Sequence, residues 1–478
     1  MSTLTAVPVG SLDLNRFEPV LGAERYRDVA AAIERSRRVL AGRVVWNVNS
    51  TARGGGVAEL LASLLAYARG AGVDARWEVI GAEPDFFTVT KRIHNNLHSW
   101  PGDGGPLGDA ERALYEAALA PNLADLVAWV RPEDVVIVHD PQPAGLIPGL
   151  KTLGVPVIWR CHVGIDVPSP LARRAWAFLA PYVTAADACV FSRRTFVWEG
   201  LDGTRIDLIA PVIDAFSAKN QDLDDATVRA VLDVAGLDGE PGGETAFTRV
   251  DGSVEYVRRP AAVVEGGPLG RDDPMVLQVS RWDRLKDPVG VIRGFAEHVA
   301  PHGDAHLVYA GPAVDSLADD PEGAAVLREA IAAYEAQPAD VRARLHLACL
   351  PMDDPEENAV IVNALQRRAD VVVQKSLAEG FGLTVAEAMW KGRPVVASRT
   401  GGIQEQITDG ESGILLDDPG DLAAFGAAVR RVLDDRALAE RLGRAARERV
   451  RDDFLPARSL TQYLDLIDRL VNHARSAP

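Results

Sequence analysis

The chain has 478 residues, 47% of them apolar and 25% charged, which is the composition of a soluble globular protein long enough for two or more domains. Its formal charge of −17 disfavours broad contact with a nucleic-acid backbone or an anionic membrane surface, so we expect neither as a partner. The three cysteines are widely spaced and form no metal-binding pattern. No secretory signal and no apolar run of bilayer-spanning length is evident, and we therefore expect a cytoplasmic protein.

Predicted strands and helices alternate along the first half of the chain. The predicted strands are 43–47, 74–80, 134–139, 155–161, 188–192 and 205–209. Between the first two of them, Gly54-Gly55-Gly56 precedes a predicted helix at 57–70. Alternation of this kind predicts a mostly parallel sheet covered by helices.

A second alternating series begins at Met275. The predicted strands are 275–280, 306–310, 371–374 and 394–398, and the predicted helices are 288–299, 321–337, 360–368 and 421–450. The predicted fold class is therefore α/β, with two Rossmann-like doubly wound domains, at 1–218 and 274–454, that face each other across a cleft. Ligands of such sheets bind beyond the carboxyl ends of the strands.

The residues between the two series, 219–273, are predicted to form a linker or an insertion. Their second part, 238–270, is rich in glycine, proline and charged residues, which is typical of a surface insertion or a mobile loop. Within it, Asp251-Gly252 predicts a small hairpin.

The segment that begins at Glu379 and ends at Glu387 has the features of a nucleotide-sugar site. It follows the predicted strand 371–374 and leads into a helix. Between the two glutamates stand Gly380, Phe381, Gly382, Leu383 and Thr384. The backbone N–H groups at the start of a helix can bind phosphate, and carboxylates can accept hydrogen bonds from sugar hydroxyls.

Two other segments can contribute to the binding of a diphosphate. Arg281 and Lys286 follow the predicted strand 275–280, where a guanidinium and an ammonium can hold a diphosphate as it leaves with growing negative charge. Gly54, Gly55 and Gly56 offer bare backbone before a helix, which allows phosphate or sugar to approach closely. Glycine clusters also occur merely where a chain turns, and for Gly54-Gly55-Gly56 alone a turn and a binding role fit about equally well.

Polar residues also stand at the ends of predicted strands in the first half. His139 and Asp140 end one strand, and His162 ends the next. This position favours a binding site over a core. A lone histidine is more often structural, however, and His139 can simply serve to orient a loop. Lys91 lies in a helix-compatible polar stretch that also suits a solvated face. No Asp-x-Asp follows an apolar strand, so we expect no essential metal and no other cofactor.

The spacing of Glu379 and Glu387 resembles the E-x7-E signature of the retaining family 4 glycosyltransferases. Arg281, Lys286 and the loop 54–56 fall where that family has its diphosphate-binding groups. The resemblance implies the GT-B fold, with two Rossmann-like domains. It also implies that the last helix, here 455–476, returns to the first domain.

A narrower resemblance is to the trehalose glycosyltransferring synthases. It rests on segments 49–59, 75–80, 86–87, 90–95, 139–143, 159–162 and 379–391. The resemblance implies a retaining glucosyltransferase that makes trehalose reversibly from a nucleoside-diphosphate glucose and glucose. It further implies that the acceptor attacks from the face that the leaving group occupies.

By this resemblance Arg281, Lys286, Glu379 and His162 are the catalytic set. Arg281 and Lys286 would hold the diphosphate, and Glu379 would bind the hydroxyls of the donor glucose. His162 would lie beside the donor sugar near the anomeric carbon. Glu387 would bind the hydroxyls of the ribose.

The remaining site residues follow from the same resemblance. The backbone of residues 380–384 and the glycines 54–56 would share the donor sugar and its phosphates. Asp140, Arg160 and Lys91 are the candidates for the acceptor pocket.

Other functions fit the same residues. A retaining trehalose phosphorylase, or a family 4 glycosyltransferase with another acceptor, would carry similar motifs. A nucleotide-sugar isomerase or a non-catalytic sugar sensor could use the same scaffold, because a fold does not determine a function. The donor base stays open between uridine, adenine and guanine. The assembly also stays open, with a homodimer as one option.

Overall fold

A computed structural model describes residues 3–52, 56–237, 243–314 and 321–476. The chain divides into two compact units, the first made of 1–212 with 454–478 and the second of 213–453. No helix in the described ranges is long and apolar enough to cross a membrane.

The first unit is built on one sheet with helices connecting its strands. Its strands are β1 (Thr5–Val7), β2 (Val44–Asn49), β3 (Asp74–Val79), β4 (Val135–His139), β5 (Val157–Arg160), β6 (Ala188–Phe191) and β7 (Ile206–Leu208). Its helices before the second unit are α1 (Glu18–Leu21), α2 (Ala23–Val39), α3 (Gly56–Gly70), α4 (Pro84–Leu97), α5 (Asp109–Trp129), α6 (Ile147–Lys151) and α7 (Pro170–Val183).

The strands of this sheet lie in the order β1-β3-β2-β4-β5-β6-β7, and all pairs are parallel except β1 with β3. The chain moves outward from β2 to β3 and then returns to β4, so the winding direction reverses between β2 and β4. Strand β2 runs two residues beyond its predicted end, to Asn49. It can do so because the buried Asn49 accepts a hydrogen bond from Trp77 Nε1 at 2.8 Å.

The second unit contains a sheet and a separate hairpin. Its strands are β8 (Ala246–Thr248), β9 (Val254–Tyr256), β10 (Ala262–Glu265), β11 (Met275–Val279), β12 (His306–Pro312), β13 (Leu345–Leu350), β14 (Val371–Gln374), β15 (Val395–Ser398) and β16 (Ile414–Leu416). Its helices are α8 (Asp225–Val234), α9 (Pro288–His298), α10 (Pro321–Glu335), α11 (Ala339–Arg342), α12 (Pro355–Arg368), α13 (Leu383–Trp390), α14 (Ile403–Gln406), α15 (Leu422–Asp434) and α16 (Arg436–Asp453).

The strands of the second sheet lie in the order β10-β13-β12-β11-β14-β15-β16, with only the β10–β13 pair antiparallel. The chain moves outward from β11 through β12 to β13, and returns to the centre at β14. The winding therefore reverses between β11 and β14, and a doubly wound sheet binds its ligand at the carboxyl edge of this reversal. The predicted α/β fold with two mostly parallel sheets is confirmed.

The structure differs from the sequence prediction in several places of the second unit. Strands β13 and β16 and helices α8, α11 and α14 were not predicted. The predicted helix 421–450 is interrupted at Asp435, whose carboxylate accepts from Leu438 N at 2.9 Å and thereby starts α16 as a new helix. Within the predicted loop 238–270, strand β10 extends the sheet by pairing with β13. The hairpin predicted at Asp251-Gly252 is present as β8 and β9.

Residues 219–273 supply helix α8, the hairpin and β10 to the second unit. The chain then returns to the first unit at its end. There, α17 (Pro456–Ser476) packs against α2 and α3. Arg469 of α17 donates to Oδ1 of Asp207, a residue of β7, at 2.6 Å.

Candidate functional site

Two loops meet at the edge of the second sheet where the winding reverses. One follows β11 and carries Lys286, and the other follows β14 and carries Glu379. Leu377 N donates to Leu285 O at 2.8 Å, which ties the loops together. The ammonium of Lys286 and the carboxylate of Glu379 form an ion pair, and their side chains are only 15% and 11% exposed. The structure thus joins two predicted site residues that lie 93 positions apart.

The loop after β11 holds Lys286 in a short turn of 3-10 helix, at Arg284–Lys286. Asp283 caps this turn by accepting from Leu285 N at 2.9 Å. Asp287 closes it with a positive φ of 51° and also caps α9. The carboxylate of Asp287 forms an ion pair with the buried Lys375, which follows β14 directly. The turn is therefore anchored from the neighbouring strand.

Arg281 stands at the start of the same loop but in a different environment. Its side chain is 67% exposed, and its Nη2 lies 2.9 Å from Asp283 Oδ2. A surface ion pair of this kind contributes little to stability and is easily exchanged for another partner. The structure places Arg281 in the same loop as Lys286, without enclosing it.

A buried network of polar side chains supports the loops after β11 and β14. Gln278 Nε2 donates to Lys286 O at 2.8 Å, and Gln374 Nε2 donates to Ser280 Oγ at 3.0 Å. Thr384 Oγ1 donates to Gln374 Oε1 at 3.1 Å. Because buried polar groups must be paired, these contacts fix β11, β14 and the first turn of α13 relative to each other.

The turn between Glu379 and α13 leaves the start of this helix open. Gly382 occupies the cap position with a φ of 80°, and no side chain within the described residues caps α13. The backbone N–H groups of Leu383 and Thr384 lie in the first turn, where a helix attracts anions. Phe381, between the two glycines, is buried. The predicted arrangement of a tight turn before a helix is present.

A glycine pair after β15 shapes this turn and was not predicted as part of the site. Gly402 N donates to Gly380 O at 2.9 Å. Gly401 has a φ of 51°, and a Cβ added there would lie 1.7 Å from Glu379 O. Any other residue at Gly401 would therefore displace the loop of Glu379.

Glu387 lies on α13 and is 3% exposed. Its Oε1 is 3.6 Å from Lys219 Nζ, while its Oε2 is buried and has no hydrogen-bond partner among the residues described. Lys391, four residues later, donates to Glu387 O at 3.1 Å and to Asn220 Oδ1 at 3.0 Å. Burial lowers the pKa of Lys391 to about 7, although the charge of Glu387 opposes this shift. An unpaired buried carboxylate oxygen is a strong acceptor for a ligand hydroxyl.

In the first unit, the loops after β4 and β5 bring Asp140 and His162 together. Asp140 N donates to Arg160 O at 2.7 Å, and Asp140 Oδ1 accepts from His162 N at 2.8 Å. Asp140 has a positive φ of 66°. The ring of His162 lies 3.3 Å, nitrogen to nitrogen, from that of the buried His139. The sequence left open whether His139 orients a loop, and the structure shows that it contacts the ring of His162.

The other site residues predicted in this unit, Arg160, Lys91 and the glycines 54–56, make fewer described contacts with Asp140 and His162. The guanidinium of Arg160 is almost fully buried and donates to Ser192 Oγ at 3.1 Å. Its Nε and Nη1 lack a hydrogen-bond partner in the described ranges. Lys91 is exposed on α4, and no hydrogen bond or ion pair within those ranges joins it to Asp140 or Arg160. Gly54 and Gly55 lie outside the described residues, and Gly56 is the first residue of α3.

The carboxyl group of Asp140 has a raised pKa. Burial raises the pKa of this carboxyl from its ordinary 3.8 to about 6, against the opposing effects of the His162 N–H group and the Arg160 guanidinium. A carboxyl with a raised pKa stabilises the folded state below its unfolded pKa. This contribution is lost as the pH rises through about 6.

We expect Asp140→Asn to stabilise the protein more at pH 8 than at pH 4.5, by on the order of 1 kcal/mol. The amide keeps an acceptor for His162 N, suits a positive φ and removes a partly buried charge. Urea unfolding at the two pH values measures the difference. An equal gain at both would show that the charge of Asp140 does not destabilise the fold.

Three residues near Glu387 and the Lys286 turn were not predicted from the sequence. Lys391 had a usable signal, because a residue four positions after Glu387 on a helix shares its face. Lys219 had none, since it lies far away in sequence. Lys375 contacts Asp287 only through the pairing of β11 and β14. Among the described residues, no cluster of three His, Cys, Asp or Glu side chains could hold a metal ion.

Comparison with known proteins gives consistent matches. A family model for the trehalose synthase N-terminal domain matches residues 47–198, and one for group 1 glycosyl transferases matches 351–449. A trehalose synthase from Rubrobacter xylanophilus is 35% identical over 98% of this chain and 99% of its own length. A trehalose phosphorylase from Pleurotus pulmonarius is 26% identical, over 92% of this chain and 59% of its own length.

A solved structure supports the fold. A UDP-forming α,α-trehalose-phosphate synthase from Burkholderia xenovorans superposes with a TM-score of 0.65, covering 91% of this chain and all of the other, at 18% identity. At this identity the likeness concerns the fold alone. Together with the full-length sequence match, it confirms the expectation of a glycosyltransferase. The chain belongs to the trehalose synthase family of glycosyltransferases and has the GT-B fold.

Proposed function

We propose that this enzyme is a retaining glucosyltransferase that makes trehalose, reversibly, from a nucleoside-diphosphate glucose and glucose. The observation that carries the proposal is the uncapped start of α13, beside the ion pair of Lys286 and Glu379, at the reversal point of the second sheet. Membership of the trehalose synthase family supports the same product.

The donor is assigned to the second unit. The N–H groups of Leu383 and Thr384 and the ammonium of Lys286 offer positive charge for the diphosphate. Glu379 accepts hydrogen bonds from the hydroxyls of the glucose. Glu387 accepts them from the ribose through Oε2, which has no partner among the described residues. Asp140, Arg160 and Lys91 in the first unit remain the candidates for the acceptor.

The reaction exchanges one bond at the anomeric carbon for another. The bond from C1 to the diphosphate oxygen breaks. The bonding electron pair stays with the leaving oxygen, and the sugar becomes oxocarbenium-like. The acceptor hydroxyl attacks C1 on the same face, and the leaving phosphate oxygen takes its proton. The rate depends on positive charge that is already in place around the leaving phosphate oxygens. Lys286, Arg281 and the N–H groups at the start of α13 supply this charge.

The direct test supplies UDP-, ADP- and GDP-glucose in turn with glucose and determines the linkage of the product. We expect an α,α-linked, non-reducing disaccharide. Efficient transfer to a different acceptor, with no such disaccharide from any donor, would refute the trehalose assignment. The same screen identifies the donor base.

A trehalose phosphorylase is the second candidate, because a protein of that name matches 92% of this chain. A phosphorylase would release glucose 1-phosphate from trehalose and phosphate without any nucleotide. Incubation of trehalose with phosphate alone, and with a nucleoside diphosphate alone, separates the two reactions. We expect cleavage only with the nucleoside diphosphate.

Chelation of divalent ions is expected to leave transfer largely unchanged. The proposal assigns the neutralisation of the diphosphate to Lys286, Arg281 and backbone N–H groups, so no cation has to bridge its oxygens. Initial rates with and without EDTA, after dialysis against chelator, provide the measurement. Complete loss of rate with recovery on adding Mg²⁺ or Mn²⁺ would contradict it.

A further inference from the structure

Three side chains form a continuous hydrogen-bonded chain at the carboxyl edge of the first sheet. Asn47 belongs to β2, His139 ends β4, and His162 follows β5. Asn47 Oδ1 lies 3.0 Å from His139 Nε2, and His139 Nδ1 lies 3.3 Å from His162 Nε2. The planes of the two imidazole rings are 19° from parallel and their centroids are 5.6 Å apart, as expected for rings that meet edge to edge through these nitrogens.

The surroundings of Asn47 determine which nitrogens carry protons. Its Nδ2 is 3.4 Å from the carbonyl oxygens of both Val45 and Arg76, so the amide nitrogen faces acceptors and Oδ1 must face His139. An amide oxygen can only accept, and His139 Nε2 therefore carries its proton. His139 Nδ1 is left as an acceptor, and His162 Nε2 must donate to it.

Charged forms of the rings are disfavoured. Burial lowers the pKa of His139 to about 3 and also lowers the pKa of His162, and the Arg160 guanidinium acts in the same direction on both. The carboxyl group of Asp140 also lies beside them and accepts a hydrogen bond from the backbone N–H of His162. Both rings thus stay neutral near pH 7, and each neutral ring has one donor and one acceptor nitrogen.

We propose that Asn47 and His139 are positioning residues that hold His162 as the Nε2–H tautomer and leave its Nδ1 lone pair to accept from a sugar hydroxyl. Among the described residues, no group hydrogen-bonds to His162 Nδ1. The backbone of His162 is held by Asp140 and its ring by His139, so neither the position nor the tautomer of the acceptor nitrogen is free to change. The inference rests on the proposed function, together with the family resemblance, which implies that His162 lies beside the donor sugar.

The tautomer can be measured on the full-length protein without substrate. Two-bond ¹⁵N–¹H correlation spectra of the imidazoles distinguish Nε2–H from Nδ1–H, and a His162→Gln variant identifies the signal of His162. We expect Nε2–H for both rings. In His139→Asn, whose amide oxygen can replace Nδ1 as the acceptor, His162 should keep this tautomer, whereas in His139→Leu it should become a mixture. An Nδ1–H form of His162 in the unmodified protein overturns the proposal.

Kinetics then test whether the tautomer matters. His139→Leu is expected to lower kcat/KM roughly tenfold, as for the loss of one good hydrogen bond, and His139→Asn to recover most of it. Asn47→Leu leaves both histidines in place and should also give a mixed tautomer and a lower kcat/KM. A mixed tautomer with an unchanged kcat/KM would overturn the positioning role. Absence of trehalose synthesis in the unmodified protein would instead refute the proposed function, and the spectra would still decide the tautomer.

Discussion

Replacement of Lys286 by alanine is expected to lower kcat by roughly two to three orders of magnitude, with a much smaller change in donor affinity. The ammonium sits in a turn anchored by Asp283 and Asp287, so it is already in place when charge develops on the leaving diphosphate. A group that acts mainly on the departing charge contributes more to the transition state than to the bound donor.

Arg284 provides the matched control. It belongs to the same turn and carries the same charge, but its side chain is half-exposed and pairs with Glu322 and Glu329 on the surface. Arg284→Ala should change kcat by less than about threefold, because surface ion pairs contribute little. Initial rates at saturating donor and donor affinity by calorimetry are the measurements. Equal losses of kcat and affinity in Lys286→Ala would indicate simple binding.

The ion pair adds a coupling that can be measured separately. Without Lys286, the carboxylate of Glu379 retains only the Ser376 hydroxyl, at 3.3 Å, among the described residues, and its uncompensated charge would repel the diphosphate. Glu379→Gln in the Lys286→Ala background should therefore cost less activity than Glu379→Gln alone. A double-mutant cycle gives this interaction energy. Strict additivity would mean that the pair does not act together.

The grouping of the residues that we assign to the donor was predictable from the sequence, because they lie close together along the chain or follow predicted strands. Glu379, the glycines and the start of α13 are contiguous and follow a recognisable apolar strand. Lys286 follows another such strand, and the rule that ligands bind at the carboxyl ends placed both at one edge. The sequence alone was therefore enough to expect that Lys286 and Glu379 would lie close together.

The supporting residues were not predictable, because their partners are distant in sequence. Lys219 reaches Glu387 across 168 positions, and Gly401 touches the backbone of Glu379 from the loop after β15. Asn47 and His139 act on His162 only because β2, β4 and β5 are neighbours in the sheet. Strand β10 was hidden by the surrounding glycine and proline residues, and only its pairing with β13 identifies it.

Replacement of Glu387 by glutamine is expected to raise the donor KM roughly tenfold to a hundredfold, with a smaller effect on kcat, since a hydrogen bond to a charged group is worth about 1.5–3 kcal/mol. Glutamine keeps the shape of the side chain but not the charge of the carboxylate, whose Oε2 has no partner in the described part of the chain. The substitution also takes the negative charge away from Lys219 and Lys391, so unfolding curves must accompany the kinetics.

Product inhibition assigns the lost contact to the ribose. The nucleoside diphosphate contains ribose and phosphates but no glucose, so Glu387→Gln should weaken its inhibition as strongly as it weakens donor binding. Glu379→Gln should not weaken it, because Glu379 is assigned to the glucose and its loss leaves Lys286 available to the phosphates. With a 2′,3′-dideoxy nucleoside diphosphate, Glu387→Gln and the unmodified enzyme should be inhibited equally. If the variant is still inhibited more weakly by the dideoxy compound, Glu387 acts through something other than the ribose hydroxyls, and the electrostatic balance with Lys219 and Lys391 becomes the better explanation.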